Sequence, residues 1–129
     1  MSLTLAEARS CADKAIAQAE AKQLRVGVAV VDATGMLLQL DRMDGALLMA
    51  PDLAEAKALT ALNFQRPTSG ISKNLDPAEL ERIGRAVHFN MVTVPGGTPI
   101  VRAGQVIGAI GVSGAAREDA AIAAEASRE

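Results

Sequence analysis

The chain has 129 residues and a formal net charge of −2, which fits one domain over residues 1–129 without a strongly basic face. Half of the residues are hydrophobic but only two are aromatic, so few side chains could stack on nucleic-acid bases. We therefore do not expect nucleic acid as a partner. Its apolar runs are far shorter than the roughly 20 residues of a membrane span. Since no signal-peptide pattern opens the chain and Cys11 has no second cysteine to pair with, we expect a cytoplasmic protein.

The first third of the sequence predicts a helix followed by a β-hairpin. The helix runs from about Thr4 to Lys22, because Thr4 and Glu7 have the spacing of a capping box and alanines recur after them at helical spacing. A β-branched run over 26–31 and a second strand over 36–42 are separated by a tight turn, which predicts an antiparallel pair.

The middle of the chain predicts two more helices. One covers about 53–65, begins after Pro51 and Asp52, and is apolar on most sides, so we expect it to be buried. Residues 66–76 are loop-like, and a shorter helix with one apolar face begins at Asp76.

The last third predicts three strands and a helix. Residues 91–94 are expected to form a short strand before a turn rich in Gly and Pro, and residues 100–102 and 105–113 a second hairpin. An Ala-rich helix begins at about Arg117. The order is therefore α-ββ-α-α-βββ-α, and the hairpin connections favour an α/β (α+β) fold with an antiparallel sheet and helices packed on it.

Four segments of the chain together resemble one protein family. They lie between residue 4 and about 126 and are Val28–Asp32 with Gly35, Arg42–Ala46, Ala54–Phe64, and Gly96–Ile100 with Val106–Gly114. In this order they resemble the GlcG/HbpS family, which also includes the C-terminal domain of PduO-type proteins.

The resemblance implies a profilin-like fold, assembly as a homo-oligomer, and haem binding. The composition also favours an oligomer, because a monomer would have difficulty covering the apolar helix at 53–64 with so few aromatic residues. Segment 84–90 departs from the family pattern, and the first helix lacks the His that some haem-binding relatives are expected to use there. The candidate iron ligands are therefore His88 and Cys11, and we expect weaker haem binding than in those relatives.

Both candidate iron ligands also have a structural interpretation. His88 is the only histidine and could bind iron or act as a general base, but a lone histidine beside Phe89 and Asn90 is more often a hydrogen-bonded surface residue. Cys11 could bind iron as a thiolate, but on an Ala-rich helix it is more often a small buried hydrophobe. Neither belongs to a metal-binding motif such as HxxxH or CxxC.

A ligand pocket is predicted from polar or conformationally special residues within apolar segments. Asp44 can accept a hydrogen bond, Lys57 can bind a carboxylate, and Gly97 can present backbone amides to an anion. We therefore predict that these three residues border one concavity. The predicted ligand-binding set is Met43, Asp44, Gly45, Lys57, Thr60, Arg66, Gly96 and Gly97.

The same residues leave alternatives open. Asp44 could be a turn residue that satisfies local amides, and Lys57 could snorkel or form a salt bridge with Glu55, Asp44 or a neighbouring subunit. The Gly96–Gly97 turn could be only a hairpin connection. The small residues of 108–113 permit close approach by either a helix or a ligand, and a helix is the more common case.

Three functions are compatible with the sequence. The first, which is preferred, is an oligomeric protein that binds haem or an anionic metabolite. The second is a small enzyme that acts on an organic acid or aldehyde of a catabolic pathway through Lys57, Asp44 or His88. The third is an accessory protein of such a pathway. No nucleophile–base pair and no phosphate-binding loop is visible in the sequence.

Overall fold

A computed structural model describes residues 1–129 as four α-helices, one 3-10 helix and four strands. Helices and strands follow one another along the chain largely as the sequence predicts. Their bounds are α1 (Leu5–Ala21), β1 (Gly27–Asp32), β2 (Leu37–Arg42), α2 (Ala50–Phe64), the 3-10 helix (Thr68–Lys73), α3 (Pro77–Val87), β3 (Gly97–Arg102), β4 (Gln105–Ser113) and α4 (Glu118–Ala126).

The first helix, α1, begins at the predicted capping box. The Thr4 hydroxyl accepts a hydrogen bond from the Glu7 amide at 3.2 Å, and the Glu7 carboxylate accepts one from the Thr4 amide at 2.9 Å. These bonds satisfy backbone donors that the start of a helix would otherwise leave unpaired. One face of the helix is buried through small side chains: Ala8, Cys11, Ala12, Ala15 and Ala19.

The strands form one antiparallel sheet in the order β2-β1-β4-β3. The turn between β1 and β2 contains Gly35 at a φ of +87°, and the two-residue turn between β3 and β4 contains Ala103 and Gly104 at +51° and +77°. Both predicted hairpins are therefore present. The antiparallel sheet with helices packed on it confirms the predicted fold class.

The strand predicted over 91–94 does not form. The Val92 amide donates to the Thr60 hydroxyl at 2.9 Å, and the Val94 carbonyl accepts from the Thr68 hydroxyl at 2.8 Å. Threonine side chains thus take backbone bonds that a neighbouring strand would have made, so the segment is an irregular connection tied to α2 and the 3-10 helix. The sheet has four strands rather than the predicted five.

Helices cover both faces of the sheet. α1 and α4 pack together against one face, where Val28, Val30 and Ile110 belong to the main core cluster. α2 covers the other face, where Val31 and Ala109 belong to a smaller cluster. Successive side chains of a strand point to opposite faces, which places Val30 and Val31 in different clusters.

The backbone of α2 approaches the sheet closely because glycines leave room for it. A Cβ placed on Gly111 would collide with the carbonyl oxygen of Ala54, and one on Gly27 would lie 2.6 Å from the carbonyl carbon of Ala50. The small residues of β4 therefore admit a helix rather than a ligand. This is the alternative that the sequence favoured for residues 108–113.

The helix α3 contributes little to the core. Leu80 is its only buried residue, whereas Ile83 is half-buried and Val87 is exposed. The carboxylate of Asp76 caps the helix by accepting from the Glu79 amide at 2.9 Å. None of the helices in the protein has both the length and the apolar character that a membrane crossing requires.

Candidate functional site

Lys57 is buried and paired inside the protein. Its side chain is 1% exposed, and its Nζ donates to Asp119 Oδ2 at 3.0 Å and to the Val112 carbonyl at 2.9 Å. The other carboxylate oxygen of Asp119 accepts from the Ala115 amide at 2.7 Å. The ion pair therefore connects α2, the end of β4 and the start of α4. Within the chain, Lys57 has a structural partner in place of the predicted carboxylate ligand.

Gly96 and Gly97 make room for this ion pair. A Cβ on Gly96 would lie 3.0 Å from both the Lys57 side chain and that of Asp119, and a Cβ on Gly97 would collide with the backbone of Lys57. The Gly97 amide, which the sequence predicts to face an anion, donates instead to the Thr68 hydroxyl at 3.0 Å. Gly97 is the first residue of β3 rather than part of the predicted turn, and within the chain the two glycines serve packing and internal hydrogen bonding.

The hydroxyl of Thr60 is also used internally. It donates to the Ala56 carbonyl at 2.7 Å and accepts from the Val92 amide at 2.9 Å. No buried side-chain nitrogen or oxygen of the protein lacks a hydrogen-bond partner. The interior around α2 therefore presents no unpaired polar side chain to a ligand.

The loop of residues 43–45 lies at another part of the surface. The Met43 sulfur accepts from the Val26 amide at 3.4 Å, and the Asp44 carbonyl accepts from Arg25 at 3.4 Å. Asp44 borders a groove of about 300 Å³ beside the end of α1, which is lined mainly by charged residues. The loop is therefore held to the residues that precede β1 rather than to α2.

The structure thus separates the predicted ligand-binding set. Lys57 and Gly97 lie together in the packed interior, whereas Asp44 is exposed and borders a groove that neither of them lines. Gly45 forms a turn with a φ of +83°, and Arg66 is exposed on the loop after α2. The prediction that Asp44, Lys57 and Gly97 border one concavity is therefore wrong for the single chain.

His88 lies at the junction of two clefts. It ends α3 in the left-handed conformation with a φ of +63°, and its exposed imidazole takes no part in the hydrogen bonds or ion pairs that hold the fold. The first cleft has a volume of about 480 Å³, within the range of small-molecule sites. It is lined by Leu80, Glu81, Gly84, Arg85, His88, Phe89, Asn90 and Met91.

The second cleft, of about 350 Å³, shares residues His88, Phe89 and Asn90 with the first. Phe89 packs against the smaller core cluster, which anchors the shared segment to the body of the protein. The two clefts differ in charge, because the first contains Arg85 beside Glu81 and the second contains acidic residues without a cation. The remaining lining of the second cleft is Asp52, Glu55, Ala56 and Leu59.

An accessible imidazole beside partly apolar walls is suited to binding haem iron. No group of three or more His, Cys, Asp or Glu side chains in the protein is placed to hold a metal ion. One protein ligand is enough for haem, because the porphyrin nitrogens supply the other iron ligands. The sequence alone did not favour His88 as a binding residue, because the two clefts form only when residues 84–91 fold around it. No local sequence pattern predicts that conformation.

Cys11 does not offer a thiolate. Its Sγ donates to the Ala126 carbonyl at 3.1 Å, and burial raises the pKa of the thiol to about 11. The group is therefore protonated at neutral pH, whereas iron is bound by the thiolate. Its place in the main core cluster confirms the interpretation of Cys11 as a small buried hydrophobe.

Comparison with known proteins gives the same architecture. The family model described as haem degrading protein HbpS-like matches residues 3–128. The 15.0 kDa protein of the dhaT–dhaS intergenic region of Citrobacter freundii is 35% identical over 124 residues, which are 95% of this chain and 87% of that protein. The structure of a PduOC–haem complex has a TM-score of 0.85 at 31% identity and covers 98% of this chain and 93% of its own. The structure of a double mutant of Streptomyces reticuli HbpS has a TM-score of 0.87 at 33% identity, and the match covers 98% of this chain and 86% of that chain.

The fold and the clefts define a small α+β domain with a four-stranded antiparallel sheet and a single histidine at a surface site outside the core. The match of the family model extends over nearly the whole chain. The chain therefore belongs to the HbpS-like family, which confirms the resemblance found in its four sequence segments.

Proposed function

We propose that this chain is a cytoplasmic, homo-oligomeric protein that binds haem and uses the imidazole of His88 as its iron ligand. The observation that carries the proposal is the position of His88. It is the only histidine of the chain, it is exposed, and it borders two adjoining clefts. The family match and the haem complex of the related PduOC support the same ligand.

The first cleft has the chemistry that haem requires. Leu80, Phe89 and Met91 supply apolar wall, His88 supplies a nitrogen ligand, and Arg85 supplies a cation for a carboxylate. Bound haem would supply redox-active iron, and the residues of the cleft would hold the porphyrin. A smaller anionic metabolite is the second candidate, and Arg85 at the same cleft is the observation that favours it.

Titration of haemin into the purified protein tests the proposal. The wild type should give a saturable Soret shift with the signature of histidine ligation, and His88→Ala should lose that signature. Free imidazole added to His88→Ala should restore it, because the small ligand can occupy the space that the side chain leaves. Arg82→Ala, at an exposed position of α3 that lines neither cleft, is the matched control and should bind as the wild type does.

Two results would contradict the proposal. The first is saturable binding in His88→Ala with an unchanged spectrum, because the iron would then be held by another group. The second is the absence of saturable binding in the wild type. Calorimetric titration with a small carboxylate such as acetate or glycolate would then test the second candidate.

The proposed oligomer is supported by apolar side chains that a single chain leaves in water. Leu47, Leu48 and Met49 precede α2 as three consecutive exposed residues, with 57%, 85% and 60% of their surfaces accessible. Leu37 and Leu40 of the edge strand β2 are also exposed. Burial of such residues between subunits would remove apolar surface from water. Light scattering that gives the mass of one chain at micromolar concentration would contradict this part of the proposal.

A further inference from the structure

We infer that the cleft selects a planar ligand that carries a carboxylate at its edge, with Gly84 making room for the plane and Arg85 binding the carboxylate. The inference rests on the proposed function and goes beyond it, because it assigns the orientation of the ligand and the residues that set specificity. It depends on the arrangement of side chains along α3 and on the difference in charge between the two clefts.

Gly84 opens the middle of the cleft. Leu80 and Gly84 are four residues apart and line the cleft, as expected for one side of a helix, and His88 lines it from the left-handed position that follows the helix. A Cβ on Gly84 would lie 3.1 Å from the Phe89 carbonyl oxygen and 4.0 Å from the Met91 methyl. Glycine therefore lets the backbone at Phe89 approach α3, and a larger side chain would press on that backbone and enter the cleft. Glycine inside a helix is unfavourable relative to alanine, and room for the Phe89 backbone and for a ligand is a reason to keep it.

Arg85 is available to a ligand. Its only ionic partner is Glu81 at 3.4 Å, and both side chains of this pair are 70% exposed. Such a surface pair contributes little to stability, so the guanidinium can turn to a ligand carboxylate at low cost. Arginine binds carboxylates through two parallel N–H groups, which gives a defined orientation.

The second cleft would reject the carboxylate edge. It contains Asp52 and Glu55 and no lysine or arginine, so a negatively charged group there would face like charge. In the first cleft, by contrast, Arg85 balances the charge of Glu81. A ligand bound at His88 would therefore place its carboxylate edge toward Arg85 and its uncharged edge toward the second cleft.

The inference is tested by comparing haemin with its dimethyl ester, in which the carboxylates are blocked, on two charge-reversal variants. Arg85→Glu should raise the Kd for haemin roughly tenfold, the scale of one charge-assisted hydrogen bond. It should change the Kd for the ester less than about twofold, as expected for a solvated charge. Arg82→Glu is the matched control, because Arg82 lies on the same helix, is also exposed and does not line the cleft. It should leave both Kd values unchanged.

A second pair of variants tests the role of Gly84. Gly84→Leu should abolish saturable haemin binding while circular dichroism shows the same helix content, because leucine favours the helix and fills the cleft. Ala86→Leu, at an exposed position of α3 outside the cleft, should bind haemin as the wild type does.

The outcomes separate this inference from the proposed function. If haemin binding depends on His88 but Arg85→Glu weakens haemin and its ester equally, or weakens neither, the proposed function stands and the assignment of Arg85 is overturned. Unchanged haemin binding by Gly84→Leu would overturn the assignment of Gly84 in the same way. If no binding depends on His88, the proposed function and the inference are both overturned.

Discussion

Replacing Lys57 with Met removes the cation of the buried pair and leaves the Asp119 carboxylate without its ionic partner. The pair is nearly inaccessible to water, with 1% and 5% of the two side chains exposed. Removing one partner of a buried pair costs about 3–5 kcal/mol, a large part of the roughly 5–15 kcal/mol that stabilises a typical domain. For a chain of this size the loss corresponds to a fall in Tm on the order of 10–20 °C.

Urea denaturation and thermal melting followed by circular dichroism measure this loss. Lys22→Met is the matched control, because Lys22 pairs with Glu118 at 2.8 Å but both side chains are more than 40% exposed. That surface pair should contribute no more than about 1 kcal/mol. A loss below about 1 kcal/mol in Lys57→Met would refute the structural role of the ion pair and return Lys57 to the set of ligand-binding candidates.

The double variant Lys57→Met/Asp119→Asn separates the effect of charge from the effect of packing. Asparagine keeps an oxygen that can accept from the Ala115 amide, but it removes the uncompensated charge. The double variant should therefore be more stable than Lys57→Met alone. If the two variants are equally stable, the lost packing of the lysine stem, rather than the unpaired carboxylate, dominates the cost.

Three further predictions follow from the same structure. Gly111→Ala should lower the free energy of unfolding by about 1–3 kcal/mol, because its Cβ would collide with the α2 backbone. Gly70→Ala should leave the stability unchanged, because a Cβ at Gly70 meets no atom within 4 Å. Equal urea midpoints for the two variants would contradict this. Leu48→Glu should lower the mass measured by light scattering, because it places a charge on the most exposed apolar residue before α2; an unchanged mass would exclude this surface from the assembly. Glu7→Gln should destabilise the protein at pH 7, by an amount that falls as the pH is lowered. The pKa of Glu7 lies below its ordinary 4.5 because the Thr4 amide and, to a smaller extent, Arg102 donate hydrogen bonds to its carboxylate. The stabilisation by the charged carboxylate is therefore present above pH 4.5 and is lost as the pH falls through the lowered pKa. A loss of stability that does not depend on pH in urea titrations would contradict this.

Features that depend on neighbouring residues could be predicted from the sequence. The Thr4–Glu7 capping box and the turns at Gly35 and Gly104 are local, because the residue types alone determine which hydrogen bonds or φ values are accessible. The buried character of α2 also followed from its apolar pattern. These elements account for most of the fold.

Features that depend on contacts between distant segments could not be predicted in this way. Lys57 and Asp119 are 62 positions apart, and the bond from Val92 to Thr60 spans 32 positions. No local pattern shows that Asp119 neutralises Lys57, and the β propensity of 91–94 does not show that threonines on other elements take its backbone bonds. The sequence therefore suggested that Lys57 and Thr60, two polar residues on an apolar helix, bind a ligand. In the structure both side chains bind other groups of the same chain.

The segments that carry the family resemblance and the segment that lines the first cleft are different parts of the chain. Segments 54–64, 96–100 and 106–114 hold α2 against the sheet through a buried ion pair and glycines that admit its backbone. Segment 84–90, which departs from the family pattern, contributes the cation and the imidazole of the first cleft. Packing residues of the first kind account for the TM-scores to HbpS and to the PduOC–haem complex, because they fix the fold. They do not fix the ligand, so the proposed haem binding depends instead on the charge, the space and the imidazole that α3 and the residues after it present.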